Sequence, residues 1–462
     1  MPGQLWRQSP LSELKTITRH AATVLVGQLA AIAFSVTDTI VAGRYSDASL
    51  AALSIGAAIY VSVFVALMGV LQALLPVWAE LHGARRLAEV GKSFRQALYL
   101  CGVTIAVGLA ILLFPGSILQ WTDVPRALHS EVQSYLSVLA VALPPALLFR
   151  MYSTLNQSLG RPKFVTLLQI GSLLLKIPLS VWFVFGGAGL ESQGAVGCAW
   201  ATLVVNYLLL GVAILMLQTQ DLYRPYAIWH RLEAPHWGQI AAFARLGIPG
   251  GLAILVEVTS FTLMALFIAR LGTVASAAHQ IASNLTALLY MMPLSIAIAA
   301  SSRVSFWLGA RDGAKARRAI KLGFLMVVSS SLMLSCALLL LSETVAHIYS
   351  RNPEVVAAAI PLLGWVVVYH FFDALQALCV FLLRCYRVAI APMLVYAVLL
   401  WGGGLLGGYL LAYRGLGPWR AWESPDAFWA ASAVALGATA LAFIGLLLMA
   451  VKRSRHSALQ LP

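Results

Sequence analysis

The sequence predicts an all-α membrane protein, with twelve transmembrane helices in two pseudo-symmetric six-helix bundles around a central cavity. Of its 462 residues, 60% are apolar and 10% are charged, whereas a soluble protein carries about 25% charged residues. The mean hydropathy is +0.85. About twelve unbroken apolar runs are long enough to cross a bilayer as helices, for which about 20 residues suffice. A β-barrel is excluded, because its strands alternate apolar and polar residues over about ten positions.

Polar loops that contain Pro or Gly separate the runs. We expect the spans at residues 17–42, 50–78, 94–114, 132–156, 165–186, 195–217, 241–268, 274–300, 319–341, 356–383, 393–413 and 428–450.

The two halves of the chain repeat at an offset of 226 residues. At this offset Gly83-Ala84-Arg85 falls on Gly309-Ala310-Arg311, and Gly189 falls on Gly415. Six spans per half preserve orientation, which predicts a parallel repeat of the kind found in many transporters. The acids do not repeat, since Asp38 falls on Met264 and Asp373 falls on Leu147.

The longest inner loop divides the chain near its middle. We therefore expect an N-terminal six-helix bundle at 1–217, a cytoplasmic loop at 218–239 and a C-terminal six-helix bundle at 240–462. Most of the 31 Lys and Arg lie in alternate loops and in the tails. By the positive-inside rule both termini are cytoplasmic. The net charge of +14 thus reflects topology in a multi-pass protein of the inner membrane, in contact with lipid, and not nucleic-acid binding.

No catalytic or nucleotide-binding constellation is present. The sequence has no HExxH, GxSxG or Walker-type motif, and its five Cys form no CxxC pair. We expect neither an enzyme nor a bound cofactor. Uphill transport would then draw on a gradient of Na⁺ or H⁺.

Three carboxylates, Asp38, Glu257 and Asp373, lie inside apolar runs. A carboxylate at this depth is costly unless it has a partner, a water-filled cavity or a proton. Such groups indicate cation or proton handling across the membrane.

Several segments resemble the multidrug and toxic compound extrusion (MATE) family, and its NorM-like branch in particular. They are FSVTDTIVAGRYSDASLAALSIG and LPVWAELHGARR at the first two spans, AVGCAWAT at the sixth, the second-half run from GIPGGLAILVEVTSF to SSRVSFWLGA, and VYHFFDALQALCVFLLRCYRVAIAPM at the tenth. The resemblance covers nearly the whole chain. It implies export of cationic, often aromatic, compounds in exchange for Na⁺ or H⁺.

The resemblance also implies roles for individual residues. Glu257 and Asp373 match the acids of the C-terminal cation site, which makes both of them possible Na⁺ ligands. Tyr369 matches a nearby aromatic residue. Asp38 matches a first-span acid implicated in coupling. Thr23 departs from the family, because many members have proline there.

The faces of the acid-bearing helices support a cation site. Residues three and four positions apart share a helix face. Phe261 and Met264 share a face with Glu257, and Tyr369 and Gln376 share a face with Asp373. Each acid could instead pair with a neighbouring helix only for packing. Further residues of the spans could line a cavity or serve only in packing: Tyr290, Met291 and His370.

Lys176 stands where NorM-like chains usually have asparagine, in a span that the family places in the same bundle as Asp38. An Asp38–Lys176 pair could be structural, and Asp38 could instead snorkel to the outer interface. We predict that such a pair acts as a switch, since protonation of Asp38 would release Lys176.

The function predicted from sequence is secondary antiport of cationic drugs or dyes against Na⁺ or H⁺ by alternating access, in a protein that acts as a monomer. The alternative is a flippase for a lipid-linked saccharide on a related two-bundle architecture. Its anionic substrate would require several Lys or Arg in the cavity, whereas the spans carry three acids against Lys176 and Arg150. A membrane-embedded enzyme or a passive channel is disfavoured by the missing motifs and by the duplicated halves.

Overall fold

A computed structural model describes residues 10–116, 126–187, 189–415, 417 and 420–459. In this part of the chain twelve helices are long and apolar enough to cross a membrane. The helices are α1 (Pro10–Tyr45), α2 (Asp47–Gln72, continued after a turn as Leu75–Gly83), α3 (Leu87–Leu113), α4 (Arg126–Ser158), α5 (Pro162–Phe185), α6 (Ala195–Thr219), α7 (Trp237–Ala269), α8 (Thr273–Gly309), α9 (Gly313–Tyr349), α10 (Pro353–Cys385), α11 (Ile390–Tyr413) and α12 (Asp426–Leu459). Each matches one predicted span, with a difference of one residue at the C-terminal ends of α3 and α5. The all-α, twelve-helix prediction is therefore confirmed.

The chain forms two compact units. The N-terminal unit is Thr23–Gly251, and the C-terminal unit comprises the described residues up to Ala22 and from Leu252 onward. Helices α1 and α7 therefore each contribute residues to both units. The loop at 218–239, which the sequence predicts between the bundles, belongs to the N-terminal unit. The boundaries of the two six-helix bundles expected from sequence remain a prediction.

Each unit is built around one central helix. In the N-terminal unit α4 packs against α2, α3, α5 and α6. In the C-terminal unit α10 packs against α8, α9 and α12. These central helices carry many of the buried polar side chains, because a polar group that faces other helices can find a partner that lipid cannot provide.

Four helix ends show the internal repeat in the backbone. Helices α2, α4, α8 and α10 each end in a Schellman motif, in which the last two amides bond back to carbonyls of the final turn. The residues at positive φ are Arg85 (60°), Gly160 (68°), Arg311 (57°) and Arg387 (60°). Arg85 and Arg311 differ by the predicted offset. Gly160 is the equivalent of Arg387, so the first half has one residue fewer than the second between these two helix ends.

Helix α11 departs from regular α-helix in its middle. Residues Ala397–Leu406, with the sequence AVLLWGGGLL, form a π-helix between two α-helical segments. Three glycines in succession have no Cβ to resist the wider turn, and π-helical segments often lie at functional sites. No sequence pattern predicted this segment.

The loop at 218–239 is held on α3. Arg95 donates Nε–H to Glu233 Oε2 at 2.8 Å and also bonds the carbonyls of Ala227 and Ile228. Tyr99 donates to the Glu233 carbonyl at 2.8 Å. Gly91 contacts the Tyr226 carbonyl so closely that a Cβ would lie 1.9 Å from its oxygen. The loop is therefore a fixed part of the N-terminal unit.

Candidate ion and substrate site

Asp373 lies in the interior of the C-terminal unit, on α10. Its side chain is 2% exposed, and Gln376 one turn further on donates Nε2–H to Asp373 Oδ1 at 2.8 Å. The predicted shared face of Asp373 and Gln376 is thus present. The amide neutralises no charge, so the carboxylate keeps acceptor capacity for a proton, a metal ion or an organic cation.

Glu257 on α7 interacts electrostatically with Asp373. It is half-buried, and its helix neighbour Ser260 donates its hydroxyl hydrogen to the Val256 carbonyl at 2.7 Å. This leaves the lone pairs of Ser260 Oγ as acceptors. The C-terminal unit therefore brings together the two acids that the sequence predicted as a pair, beside neutral oxygen groups.

Three tyrosines lie within electrostatic range of this pair of acids. Tyr369, Tyr290 and Tyr396 each interact electrostatically with both Glu257 and Asp373. Tyr369 and Tyr290 were predicted, whereas Tyr396, at the end of the first segment of α11, was missed. Phenol hydroxyls can coordinate a hard cation through oxygen and can donate a hydrogen bond to a carboxylate.

Three aromatic rings pack edge to face beside the acids. Phe261 lies 5.8 Å from Tyr369 and 6.2 Å from Trp429, and Tyr369 lies 5.5 Å from Trp429, between ring centroids. Trp429 on α12 donates Nε1–H to His279 Nδ1 at 3.2 Å. We name Phe261, Tyr369 and Trp429 the aromatic triad. Trp429 was missed, because one aromatic residue in an apolar span carries no signal that separates a site from ordinary packing.

A small pocket with a cavity volume of about 20 Å³ opens against Phe261 and Tyr369 of the aromatic triad within the C-terminal unit. Its lining combines aromatic, hydroxyl and apolar side chains: Ser260, Phe261, Met264, Tyr369, Leu400, Leu405, Ser432 and Leu436. Leu400 and Leu405 belong to the π-helical segment of α11. Phe261 and Tyr369 stand one helical turn from Glu257 and Asp373, so the pocket adjoins the acids. A cavity of this volume holds about one water molecule, so a larger ligand requires the side chains of the lining to move apart.

The remaining residues predicted for a cavity differ in their positions. Met264 is buried, lines the pocket and receives a contact from Ser432 Oγ at 3.8 Å. Met291 is half-buried on α8 and does not line this pocket. His370 is 0% exposed, and in the part of the chain that the structure describes neither of its ring nitrogens has a hydrogen-bond partner. A neutral packing role fits His370 better than cation binding.

Asp38 and Lys176 form an ion pair inside the N-terminal unit. Lys176 Nζ lies 2.9 Å from Asp38 Oδ1, and Ser180 donates to the same oxygen at 3.2 Å. Both residues are buried, so Asp38 does not snorkel to an interface. Lys176 also donates to the Cys198 carbonyl at 2.8 Å and to Thr202 Oγ1 at 2.5 Å.

Thr23 lies at the first residue of the N-terminal unit, within an uninterrupted α1. Its carbonyl accepts a hydrogen bond of 2.7 Å from Thr166 Oγ1 on α5. A side-chain bond to the backbone thus stands at the position where the resemblance places a proline.

Among the described residues, no group of three or more His, Cys, Asp or Glu could hold a metal ion. The donor set of the acid pair consists of carboxylate, hydroxyl and phenol oxygens. Such a set suits a hard monovalent cation or a proton as transported ion, and it does not resemble a transition-metal site.

The long apolar helices and the buried acids define a multi-pass membrane protein. Solved transporters share its fold: the structure is similar to the eukaryotic MATE transporter AtDTX14, with a TM-score of 0.86 at 19% identity, over 97% of this chain and 99% of that one. A MATE structure in the straight conformation is similar with a TM-score of 0.85 at 17% identity, over 99% of both chains.

The family follows from sequence. The MatE family model matches residues 24–182 and 249–410. A probable multidrug resistance protein NorM of Aromatoleum aromaticum is 37% identical over 95% of this chain and 94% of its own length. Multidrug resistance protein PmpM of Pseudomonas aeruginosa is 32% identical over 93% of this chain and 90% of its own. The chain belongs to the MatE family, and the predicted resemblance to its NorM-like members is confirmed.

Proposed function

We propose that this protein is a secondary active antiporter of the inner membrane, with both termini in the cytoplasm, that exports cationic aromatic compounds in exchange for Na⁺ or H⁺. The observation that carries the proposal is the pair of acids, Glu257 and Asp373, beside the aromatic triad in one unit. The relatives NorM of Aromatoleum aromaticum and PmpM of Pseudomonas aeruginosa, which are named as multidrug resistance proteins, support the same function.

The acids supply the charge that both cargoes require. An organic cation places its charge against Glu257 and Asp373 and its ring against the aromatic triad. Cation–π contact adds about 2 kcal/mol in a desolvated site. The lining of the pocket contains no Lys or Arg that would repel an organic cation.

Coupling follows from occupancy of the same charge. Two unit positive charges about 6 Å apart repel by about 3 kcal/mol at an effective dielectric constant of about 20. That repulsion corresponds to roughly a hundredfold loss of affinity, so the ion and the drug exclude one another. Alternating access then turns this exclusion into exchange: the ion displaces the drug on the outer side, and cytoplasmic drug displaces the ion on the inner side.

The flippase alternative requires cationic groups around an anionic pyrophosphate. Lys176 is neutralised by Asp38, and the pocket in the C-terminal unit is lined by uncharged residues. These observations favour organic cations as substrates. No further observation in the described residues favours catalysis, and we propose transport without chemical conversion of the substrate.

The test is efflux of a cationic dye from proteoliposomes under an imposed Na⁺ or H⁺ gradient. We expect Glu257→Gln and Asp373→Asn each to reduce gradient-driven efflux at least tenfold. Glu354→Gln, which neutralises an exposed acid in the first turn of α10, is the matched control and should retain efflux. Full gradient-driven activity in both site variants would overturn the proposal, as would preferential movement of a lipid-linked anion.

A further inference from the structure

The ammonium group of Lys176 is fully coordinated inside the N-terminal unit. It lies 2.9 Å from Asp38 Oδ1, 2.8 Å from the Cys198 carbonyl oxygen and 2.5 Å from Thr202 Oγ1. An ammonium has three N–H donors, and these three acceptors use all of them. The Lys176 side chain is 0% exposed, so it is held as firmly as a core residue.

The three acceptors make a donor set for a small cation. A carboxylate, a backbone carbonyl and a hydroxyl are oxygen ligands that hard cations prefer. Ser180 Oγ bonds the same carboxylate oxygen at 3.2 Å and adds a second hydroxyl to the site. Lys176 Nζ stands at the centre of these oxygens, where an exchangeable cation would otherwise bind.

The surroundings of the ammonium are neutral apart from Asp38. The face of the Phe34 ring lies 4.6 Å from Lys176 Nζ, which favours a cation there. The titratable groups that face Asp38 from the packed helices are Tyr135 on α4 and Cys198 on α6. Neither group adds a positive charge. Lys176 alone therefore balances Asp38 among the described ion pairs.

We propose that Lys176 is a tethered cation that permanently occupies the cation site of the N-terminal unit. This unit then binds no exchangeable Na⁺ or H⁺, and the coupling ion is handled by Glu257 and Asp373 alone. A group held on the same chain has an effective concentration that free ions cannot match, provided the linker reaches the site. The assignment of the coupling ion to Glu257 and Asp373 rests on the proposed function, whereas the occupancy of the N-terminal site by Lys176 does not.

The geometry favours a permanent counter-ion over the switch predicted from sequence. Release of Lys176 by protonation of Asp38 would leave a buried ammonium with two neutral acceptors. An ionised group without its partner in an apolar interior is strongly disfavoured. A switch would need a second acid or a solvated position for Lys176, and the three contacts of its ammonium provide neither.

The test uses the full-length chain, in which two substitutions neutralise the buried acids of the C-terminal unit. In a Glu257→Gln/Asp373→Asn background, thermal unfolding is followed against Na⁺, with choline replacing it at constant ionic strength, and against pH without Na⁺. We expect no shift with Na⁺ in this background. Adding Lys176→Met should create a rise in unfolding temperature with Na⁺, or a new pH dependence, and the further change Asp38→Asn should abolish it.

Three results would overturn the inference. One is a Na⁺-dependent shift already present in the background and lost with Asp38→Asn, because Asp38 would then bind an exchangeable ion beside Lys176. Another is the absence of both Na⁺ and pH responses after Lys176→Met. If Lys176→Met does not fold, Lys176→Asn replaces it. The third overturning result is that neither single variant folds while Lys176→Met/Asp38→Asn does, because the pair would then be purely structural. Absence of drug efflux by the wild-type protein would contradict the proposed function. It would not affect the conclusion about occupancy of the N-terminal site by Lys176.

Discussion

Arg303 on α8 donates two hydrogen bonds to the carboxylate of Glu13 near the start of α1, from Nε to Oε1 and from Nη2 to Oε2, each of 2.7 Å. Trp307 donates a third bond to Glu13 at 3.0 Å. Both charged side chains are buried. Helix α1 thus joins its first residues to the C-terminal unit, while its residues from Thr23 onward belong to the N-terminal unit.

Removal of one partner of this buried pair should destabilise the protein strongly. Glu13→Gln leaves the Arg303 charge without a counter-ion, and such a loss costs about 3–5 kcal/mol. Thermal unfolding in detergent measures it. Glu89→Gln is the matched control, because Glu89 pairs with Arg86 at the surface and exposed pairs contribute about 0–1 kcal/mol. Equal effects of the two variants would contradict this view of Glu13.

The loop at 218–239 should detach from α3 in acid. Hydrogen bonds from Arg95 lower the pKa of Glu233 from 4.5 to about 2. A carboxyl group with a depressed folded-state pKa stabilises the fold fully above pH 4.5 and loses that contribution as the pH falls toward 2. Amide exchange of residues 227–234, corrected for intrinsic rates, should therefore accelerate over this window.

Two variants control the loop experiment. Glu233→Gln should show fast exchange in residues 227–234 already at pH 6, with little further change in acid. Asp221→Asn removes an exposed loop acid paired with Arg224 and should leave the acid response in place. An unchanged pH response in Glu233→Gln would show that another group governs the loop.

Glycine should stabilise the end of α8. Arg311 holds φ at 57° in the Schellman motif, where a residue with a Cβ is disfavoured by about 1–2 kcal/mol. Arg311→Gly should raise the unfolding free energy by about 1 kcal/mol, less the small loss of a cation at a helix C-terminus. The control Arg318→Gly removes the same charge inside α9 and should lower the unfolding free energy by about 1 kcal/mol. A loss in both variants would contradict the strain argument.

The aromatic triad should determine affinity for ring-bearing cations. Trp429→Leu removes the ring that packs on Phe261 and Tyr369, and we expect roughly tenfold weaker binding of an aromatic dye, from about 1–2 kcal/mol of lost ring contacts. Trp429→Phe should lose less. The half-exposed Trp401 of α11 supplies the control variant Trp401→Leu, which should bind the dye as wild type does. Fluorescence titration measures the affinity, with thermal unfolding to confirm folding. An equal loss of dye affinity in the Trp429 and Trp401 variants would show that the aromatic triad does not bind the dye.

Elements that depend on composition could be predicted from sequence, and elements that depend on geometry could not. The twelve spans follow from apolar length, and the pairing of Asp38 with Lys176 was predicted from two opposite charges in spans that the family resemblance places in one bundle. Glu13 and Arg303 gave no signal, because charges at the ends of spans are ordinary in membrane proteins. The π-helical segment of α11 has no sequence periodicity of its own within a Leu- and Gly-rich run.

The site shows the same division. Glu257, Asp373 and Gln376 were predicted because buried charge is costly and helix spacing shows which residues share a face. Tyr396 and Trp429 come from α11 and α12, and only packing of these helices brings them to the acids. The roles of all these residues in transport remain predictions.

The most direct test of the central claim is competition between the ion and the drug for one charge. Equilibrium binding of a cationic aromatic dye to the purified protein is titrated at increasing Na⁺, and separately at decreasing pH. We predict that the apparent Kd of the dye rises in proportion to the concentration of the coupling ion, and that Asp373→Asn binds the dye weakly and without this dependence. Dye affinity in wild type that responds to neither Na⁺ nor pH would contradict the account.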